Sequence, residues 1–172
     1  MSVHYLHPRV LKINAGFMLN AGPGNSNDST FDFPALRISD DLTLNYLTGP
    51  FRMSRTKEGV LVQATLHAGL NTECIRCLDP VQEDIVFEIE ELFATNPSVT
   101  TAFYLSDDGI LDLAPLLREE ILIHSYKRIL CKPDCKGLCP ECGKNRNRED
   151  CTCAEQQIDP RFAALRDLLE RK

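Results

Sequence analysis

The sequence predicts an α+β protein: an antiparallel β-meander with one packed helix, a cysteine-rich tail and a short C-terminal helix. Two stretches before residue 95 alternate apolar and polar residues with the period of a half-buried strand. A later stretch repeats apolar residues at helical spacing, and six of the eight cysteines follow it. The 172 residues suit one compact unit with a β-rich body, 1–125, and a tail, 126–172.

The strands are assigned from periodicity and composition. Residues 60–72 place apolar side chains on one face and polar side chains on the other, and residues 81–93 alternate in the same way. We expect strands at 42–56, 60–72, 81–93 and 103–105. The Gly-, Asn-, Ser- and Asp-rich stretch 21–30 is typical of a loop, and 57–59 is typical of a hairpin turn.

Two helices are predicted, each with its own start signal. Asp112 is suited to cap the first, and apolar residues recur at helical spacing, so we expect a helix at residues 113–124. Pro115 falls in its first turn, where the missing N–H is not needed. The second helix begins at Asp159 and Pro160. Its apolar stripe comprises Phe162, Leu165, Leu168 and Leu169.

The eight cysteines carry the strongest chemical signal. They stand as C-x2-C, then C-x3-C-x3-C-P-x-C-G, then C-x-C. Structural zinc takes four tetrahedral ligands, often thiolates, and a C-x2-C turn brings two sulfurs to one ion. We therefore expect the tail to bind one or two Zn²⁺ ions. The spacing groups Cys139, Cys142, Cys151 and Cys153 in one site, and Cys74, Cys77, Cys131 and Cys135 in the other.

Other interpretations of the cysteines stay open. A C-x2-C pair can be a redox dithiol, although that motif usually lies between a strand and a helix rather than between two strands. Four thiolates also hold iron–sulfur clusters. Some of the cysteines could lack a metal, which would leave a single site. Structural disulfides are not indicated, because cytosolic reductants keep thiols reduced.

Charge is unevenly distributed along the chain. Acidic residues outnumber basic ones by 25 to 19, yet residues 127–148 contain seven Lys and Arg against two acidic residues. Cations around a zinc site commonly meet phosphates, so RNA is one expected partner. Alternatively, these cations offset the charge of thiolate–zinc centres. The RNA-binding candidates are Lys132, Lys136, Lys144, Arg146 and Arg148, with Asn145 and Asn147 as polar donors beside them.

Several function classes are disfavoured by what the sequence contains. The acidic run in 81–93 is expected to be a solvated strand face, or else a surface for a basic protein. No apolar stretch has the length of a membrane helix and no signal-peptide core is present, so we expect a cytoplasmic protein without membrane contact. Phosphate-binding, nucleophile-elbow and metalloprotease motifs are absent from the sequence, so we expect neither a small-molecule substrate nor enzymatic activity.

Taken in order, the motifs resemble a known family. They are Cys74-Ile75-Arg76-Cys77-Leu78, Asp112-Leu113, Gly137-Leu138-Cys139-Pro140-Glu141-Cys142-Gly143, Cys151-Thr152-Cys153 and Asp159-Pro160-Arg161. This order resembles the YceD family of large ribosomal RNA subunit accumulation proteins over roughly residues 45–169. The resemblance implies a bacterial or plastid factor of large-subunit biogenesis, needed for normal levels of 23S ribosomal RNA. It would act by binding RNA, a ribosomal protein or an assembly intermediate; a protein-binding scaffold without RNA contact and a thiol redox sensor are the alternatives.

Overall fold

The computed structural model describes residues 4–125 and 129–153. In chain order its strands are β1 (Lys12–Asn14), β2 (Ser26–Phe33), β3 (Leu36–Arg37), β4 (Thr43–Arg55), β5 (Gly59–Glu73), β6 (Pro80–Ala94), β7 (Phe103–Tyr104) and β8 (Ile110–Asp112). A 3-10 turn at Pro8–Leu11 precedes β1, and the helices are α1 (Gly16–Asn20) and α2 (Ala114–Ser125). Neither these helices nor any other described segment forms a helix long and apolar enough to cross a membrane.

The main sheet has six strands in the order β2-β4-β5-β6-β7, with β3 beside β4. Its neighbours are antiparallel except β6 and β7, which pair in parallel. β1 and β8 form a separate two-stranded sheet. The predicted α+β class is confirmed, and β4, β5 and β6 form the expected meander. The purely antiparallel description is wrong, because the short strand Phe103–Tyr104 returns beside β6 in the same direction.

β5 and β6 form a long hairpin that fixes the position of one cysteine pair. Each strand has 15 residues. The last cross-strand pair, Glu73 with Pro80, leaves Cys74 and Cys77 in the connecting turn. We call this turn knuckle 1 (residues 74–79). The first C-x2-C therefore lies between two strands, as the sequence predicts.

Alternation along this hairpin identifies its buried face. Leu66 and Phe87 are cross-strand partners and both are buried, whereas the adjacent pair, Thr65 and Glu88, is exposed. Because successive side chains of a strand point to opposite faces, the period of two in the sequence specifies both the strand and the face that packs on the core.

One strand lies where the sequence predicts a loop. β2 overlaps the polar stretch 21–30 and pairs antiparallel with β4 along its whole length. Residues 26–30 are all exposed. The loop prediction is wrong for these five residues because an edge strand contacts solvent, so its backbone pairing tolerates Ser, Asn and Asp side chains that propensity alone assigns to turns.

Helix α2 packs beside β6. The side chains that it buries are Leu116, Leu117 and Ile121, as the helical spacing predicts. The Asp112 carboxylate accepts a hydrogen bond from the Ala114 backbone N–H at 3.1 Å. The helix is shifted by one residue from the predicted 113–124. The predicted C-terminal helix, which begins at Asp159, lies outside the described residues.

An ion pair joins α2 to the loop before β4. Both carboxylate oxygens of Asp41 accept hydrogen bonds from the Arg118 guanidinium, one of them from Nε at 3.1 Å. Together with the Ser39 hydroxyl, Arg118 holds the pKa of Asp41 well below its usual range. Because the folded-state pKa is depressed, this carboxylate contributes stability above the unfolded-state pKa and loses that contribution as the pH falls.

Asp41→Asn is therefore expected to lower the free energy of unfolding at pH 7. The difference in the free energy of unfolding between this variant and the unsubstituted protein should shrink progressively below about pH 4, where the carboxyl of the unfolded chain becomes protonated. Urea unfolding at neutral and acidic pH measures both values. An equal loss of stability at the two pH values would contradict the role of the carboxylate charge.

Candidate metal centre

Knuckle 1 is a tight turn held by two backbone hydrogen bonds. The Cys74 N–H donates to the Asp79 carbonyl at 2.8 Å, and the Leu78 N–H donates to the Cys74 carbonyl at 2.9 Å. Leu78 has a φ of 59°, in the left-handed region that favours glycine. The turn brings the sulfurs of Cys74 and Cys77 within 4.8 Å of each other.

The second C-x2-C repeats this turn, and we call it knuckle 2 (residues 139–144). The Cys139 N–H donates to the Lys144 carbonyl at 2.8 Å, and the Gly143 N–H donates to the Cys139 carbonyl at 2.9 Å. Gly143 has a φ of 72° and corresponds to Leu78 of knuckle 1. The same cysteine spacing therefore folds in the same way at the end of a hairpin and in the tail.

Cluster 1 combines knuckle 1 with two cysteines of the tail. Its members, whose sulfurs all lie within 4.8 Å of one another, are Cys74, Cys77, Cys131 and Cys135. The sulfurs of Cys74 and Cys135 are 3.8 Å apart, and those of Cys77 and Cys131 are 3.4 Å apart. Three of these thiols are buried, and that of Cys131 is exposed. The cluster joins the sheet to the tail.

Cluster 2 lies entirely in the tail. Its members, also within 4.8 Å of one another, are Cys139, Cys142, Cys151 and Cys153. The Cys151 sulfur is 3.5 Å from that of Cys142 and 3.2 Å from that of Cys139. Cys139 is buried, whereas Cys142 is exposed. The structure thus brings the eight thiols together in the two groups of four that the spacing predicts.

Both clusters have the dimensions of a tetrahedral thiolate site. With metal–sulfur bonds of about 2.3 Å, sulfurs at the corners of a tetrahedron lie about 3.8 Å apart. The separations of 3.2 to 3.8 Å given above are close to this value and far from the roughly 2.05 Å of a disulfide bond. All eight cysteines are free thiols. Each cluster could therefore hold one metal ion.

The thiols within a cluster differ in acidity. Burial raises the pKa of Cys74, but the surrounding backbone N–H groups outweigh burial and lower this pKa to about 6. The Cys142 backbone N–H and the Cys151 thiol lower the pKa of Cys139 to about 6 as well. Burial raises the pKa of Cys77 instead. Within each cluster some thiols therefore ionise more readily than others, and a bound cation would favour ionisation of the rest.

Asn147 connects the two clusters. It lies in the loop that cluster 2 closes, yet its Nδ2 donates a hydrogen bond to the Cys135 sulfur of cluster 1 at 3.3 Å. Its Oδ1 accepts from the Lys136 backbone N–H at 2.9 Å, which orients the amide. Although burial opposes it, the Asn147 hydrogen bond lowers the pKa of Cys135. The sequence suggested that Asn147 contacts phosphate, but its amide is used within the protein.

Two of the five RNA-binding candidates form ion pairs within the protein. Arg148 pairs with Asp79 at 2.8 Å, and the other Asp79 carboxylate oxygen accepts from Asn145 at 3.1 Å. Lys144 pairs with Glu149 at 3.6 Å. The sequence analysis did not identify Asp79, because the residues next to it in the sequence do not indicate a partner 69 residues further along the chain.

The three remaining candidates are exposed and form no ion pair with the residues in ranges 4–125 and 129–153. They are Lys132, Lys136 and Arg146. Arg76 of knuckle 1 is exposed beside them, and its Nη1 donates to the Cys135 carbonyl at 3.0 Å. We call Arg76, Lys132, Lys136 and Arg146 the basic surface.

Fold and site together define a small α+β protein with two four-cysteine clusters, one shared by a central hairpin and the tail and the other formed by the tail alone. The chain belongs to the YceD family, since the family model described as "Large ribosomal RNA subunit accumulation protein YceD" matches residues 62–169. This match contains both knuckles and all eight cysteines, and it confirms the resemblance seen in the motifs. The family description concerns ribosomal RNA accumulation rather than a catalysed reaction.

Similar proteins come from bacteria and a plant. Rv2926c of Mycobacterium tuberculosis is 36% identical over 124 residues, 69% of this chain and 59% of that protein. YlbN of Bacillus subtilis is 29% identical over 111 residues, 62% of this chain and 64% of that protein. The chain thus spans about three-fifths of the length of these relatives.

A chloroplastic relative carries the ribosomal description in its name. The large ribosomal RNA subunit accumulation protein YCED homolog 1 of Arabidopsis thaliana is 28% identical over 61 residues, 36% of this chain and 19% of that protein. No solved structure matches the chain significantly.

Proposed function

We propose that this protein supports accumulation of large-subunit ribosomal RNA in the cytoplasm by binding that RNA directly. The basic surface makes the contact, and two zinc ions fold the segment that carries it. The observation on which this rests is that four exposed cations lie on or beside cluster 1, the cluster that joins knuckle 1 to the tail.

Zinc is the metal that this donor set favours. Four thiolates in a tetrahedral arrangement are typical ligands of structural zinc. An iron–sulfur cluster places several iron atoms among its thiolates and so needs some of its cysteine sulfurs further apart than in these clusters, where all four sulfurs lie within 4.8 Å of one another. Isolated dithiols would suit a redox sensor, whereas both C-x2-C pairs are parts of four-thiol groups. Zinc would hold each group of thiolates together and neutralise part of their charge.

RNA is the partner that the charge distribution favours. The chain as a whole carries a formal charge of −6 and would repel phosphates over most of its surface. The basic surface is the local exception, and Lys and Arg contacts to phosphates supply most of the sequence-independent affinity for nucleic acid. These opposite charges would orient the protein with its cysteine clusters towards the RNA.

Charge reversal of three of the four cations of the basic surface tests this proposal, and Arg76 is kept because its guanidinium donates a hydrogen bond to the Cys135 carbonyl. We expect Lys132→Glu, Lys136→Glu and Arg146→Glu together to weaken binding to 23S ribosomal RNA transcripts and precursor particles by at least about tenfold near physiological salt. The slope of log affinity against log salt should fall by about two to three, because each lost phosphate contact also removes the release of a counterion. Cells with only this variant should accumulate less 23S ribosomal RNA.

A matched control reverses three exposed cations outside the cysteine-bearing segments: Arg9→Glu, Arg37→Glu and Lys57→Glu. This control has the same net charge as the test variant and should bind RNA and maintain ribosomal RNA levels as the unsubstituted protein does. A folded, zinc-loaded test variant that binds like the control would contradict direct RNA binding through this surface.

A protein-binding scaffold is the second candidate, and one feature of β6 favours it. Asp84, Glu88 and Glu90 lie on one face of this strand and are exposed, so they could attract a basic ribosomal protein. In that case reversal of the basic surface leaves ribosomal RNA levels unchanged, and reversal of these three acidic residues lowers them. A thiol redox sensor would instead be metal-free, with reversibly oxidised C-x2-C pairs.

A further inference from the structure

Knuckle 1 has an exposed leucine at a position that favours glycine. Leu78 has a φ of 59° and is 58% exposed. In knuckle 2 the corresponding residue, which makes the same hydrogen bond to the first cysteine carbonyl, is Gly143. A leucine in the left-handed region meets a steric penalty that glycine avoids, and an exposed leucine gains little from burial. The fold of the turn therefore does not account for this side chain.

A second exposed apolar side chain lies in the same turn. Ile75 is 54% exposed, and the corresponding residue of knuckle 2 is Pro140. The Ile75 N–H donates to the Ile129 carbonyl at 3.0 Å, so the backbone that carries this side chain is held in place. Knuckle 1 thus presents two apolar side chains to solvent on a hydrogen-bonded turn.

Cations lie next to this apolar pair. Arg76 stands between Ile75 and Leu78 in sequence and is exposed. The Leu138 N–H donates to the Arg76 carbonyl at 2.9 Å, which places the tail segment containing Lys136 against knuckle 1. An RNA strand whose phosphates meet these cations would have its bases within reach of the apolar side chains.

We propose that Ile75 and Leu78 contact unpaired bases of the ribosomal RNA, a step that rests on the proposed function and specifies its ligand as single-stranded or bulged RNA. Apolar side chains can contact base faces, and unstacked bases occur in RNA loops and bulges. Two side chains offer far less than the roughly 800 Å² per partner of a stable protein interface. With RNA the phosphate contacts supply the remaining affinity.

Leu78→Gly separates this role from folding. The variant removes the apolar side chain and gives knuckle 1 the residue that knuckle 2 already has, so zinc content should be unchanged and thermal stability equal or higher. Its affinity for a labelled single-stranded oligonucleotide from a large-subunit RNA loop should fall about tenfold. Affinity for the fully paired duplex of the same sequence should not change, nor should the salt slope of binding.

Two further variants complete the test. Ile75→Ser should weaken single-strand binding in the same way, whereas Val86→Ser, at an exposed apolar residue of β6, should leave it unchanged.

If the unsubstituted protein binds RNA and Leu78→Gly binds equally well, this inference is wrong and the proposed function stands. If the unsubstituted protein binds no RNA, the proposed function fails and takes this inference with it. Loss of zinc from Leu78→Gly would show a structural role and overturn the inference.

Discussion

Purified protein is expected to carry two zinc ions per chain, and its tail should lose its fold when they are removed. Residues 129–153 contain no regular helix or strand, and their only buried residues are Cys135, Gly137 and Cys139. Such a segment buries too little apolar surface to offset the entropy of ordering it, so we expect its folding to depend on metal binding. Elemental analysis of protein purified under reducing conditions measures the ion content.

Chelation should affect the two parts of the molecule differently. The main apolar core lies between the sheet and α2, so the circular dichroism of the strands should persist after zinc removal. Amides of residues 129–153 should then exchange with solvent at rates close to those of an unfolded chain. Zinc-free protein that was never exposed to chelator or acid, with the tail still protected from exchange, would refute zinc as the folding agent and favour the redox alternative.

Cys77→Ser and Cys142→Ser are each expected to remove one zinc ion, with different structural consequences. Cys77 is buried in cluster 1, which joins the sheet to the tail. Its replacement should free the tail, so the Ile75 and Leu138 amides, which donate across this junction, should exchange faster. Cys142 belongs to cluster 2 and is exposed. Its replacement should leave the junction protected.

Zinc stoichiometry and hydrogen exchange on the same samples distinguish these outcomes, and each variant is the control for the other. Two ions retained in Cys77→Ser would place knuckle 1 outside a metal site. Loss of both ions from Cys142→Ser would show that the clusters bind metal as one unit, in which case the Asn147 hydrogen bond to Cys135 is the contact to test next.

The parts of the fold that could be predicted are those in which one face of a regular element is buried. Leu66 and Phe87 lie on the buried face of the hairpin, and Leu117 lies on that of α2, so the periods of these elements appear in the sequence. β2 could not be predicted in the same way, because its first residues are exposed and its stability comes from pairing with β4. The parallel β7 has two residues, too few to show a period.

The cysteine grouping could be predicted because each metal site needs four ligands and close spacing limits how eight thiols divide. The supporting contacts could not be predicted. Asn147 reaches a sulfur of the other cluster, and Asp79 pairs with a residue of the tail, so both depend on how the two knuckles pack together. A single sequence contains no record of such packing, and polar residues in a basic segment suggest phosphate contacts instead.

Cluster 1 also constrains the order in which the parts of the protein can come together during synthesis. Its sulfurs from Cys77 and Cys131 are 3.4 Å apart although 54 residues separate them, and β6, β7, β8 and α2 all lie between them. Bringing together two residues this far apart in an unfolded chain costs about 4 kcal/mol of free energy at 25 °C on chain-entropy estimates. During synthesis, knuckle 1 leaves the ribosome with only two of the four cysteines of cluster 1. The strands of the main sheet are therefore made first, and a metal ion could join the sheet to the tail through cluster 1 only after the helix and the tail cysteines have been translated.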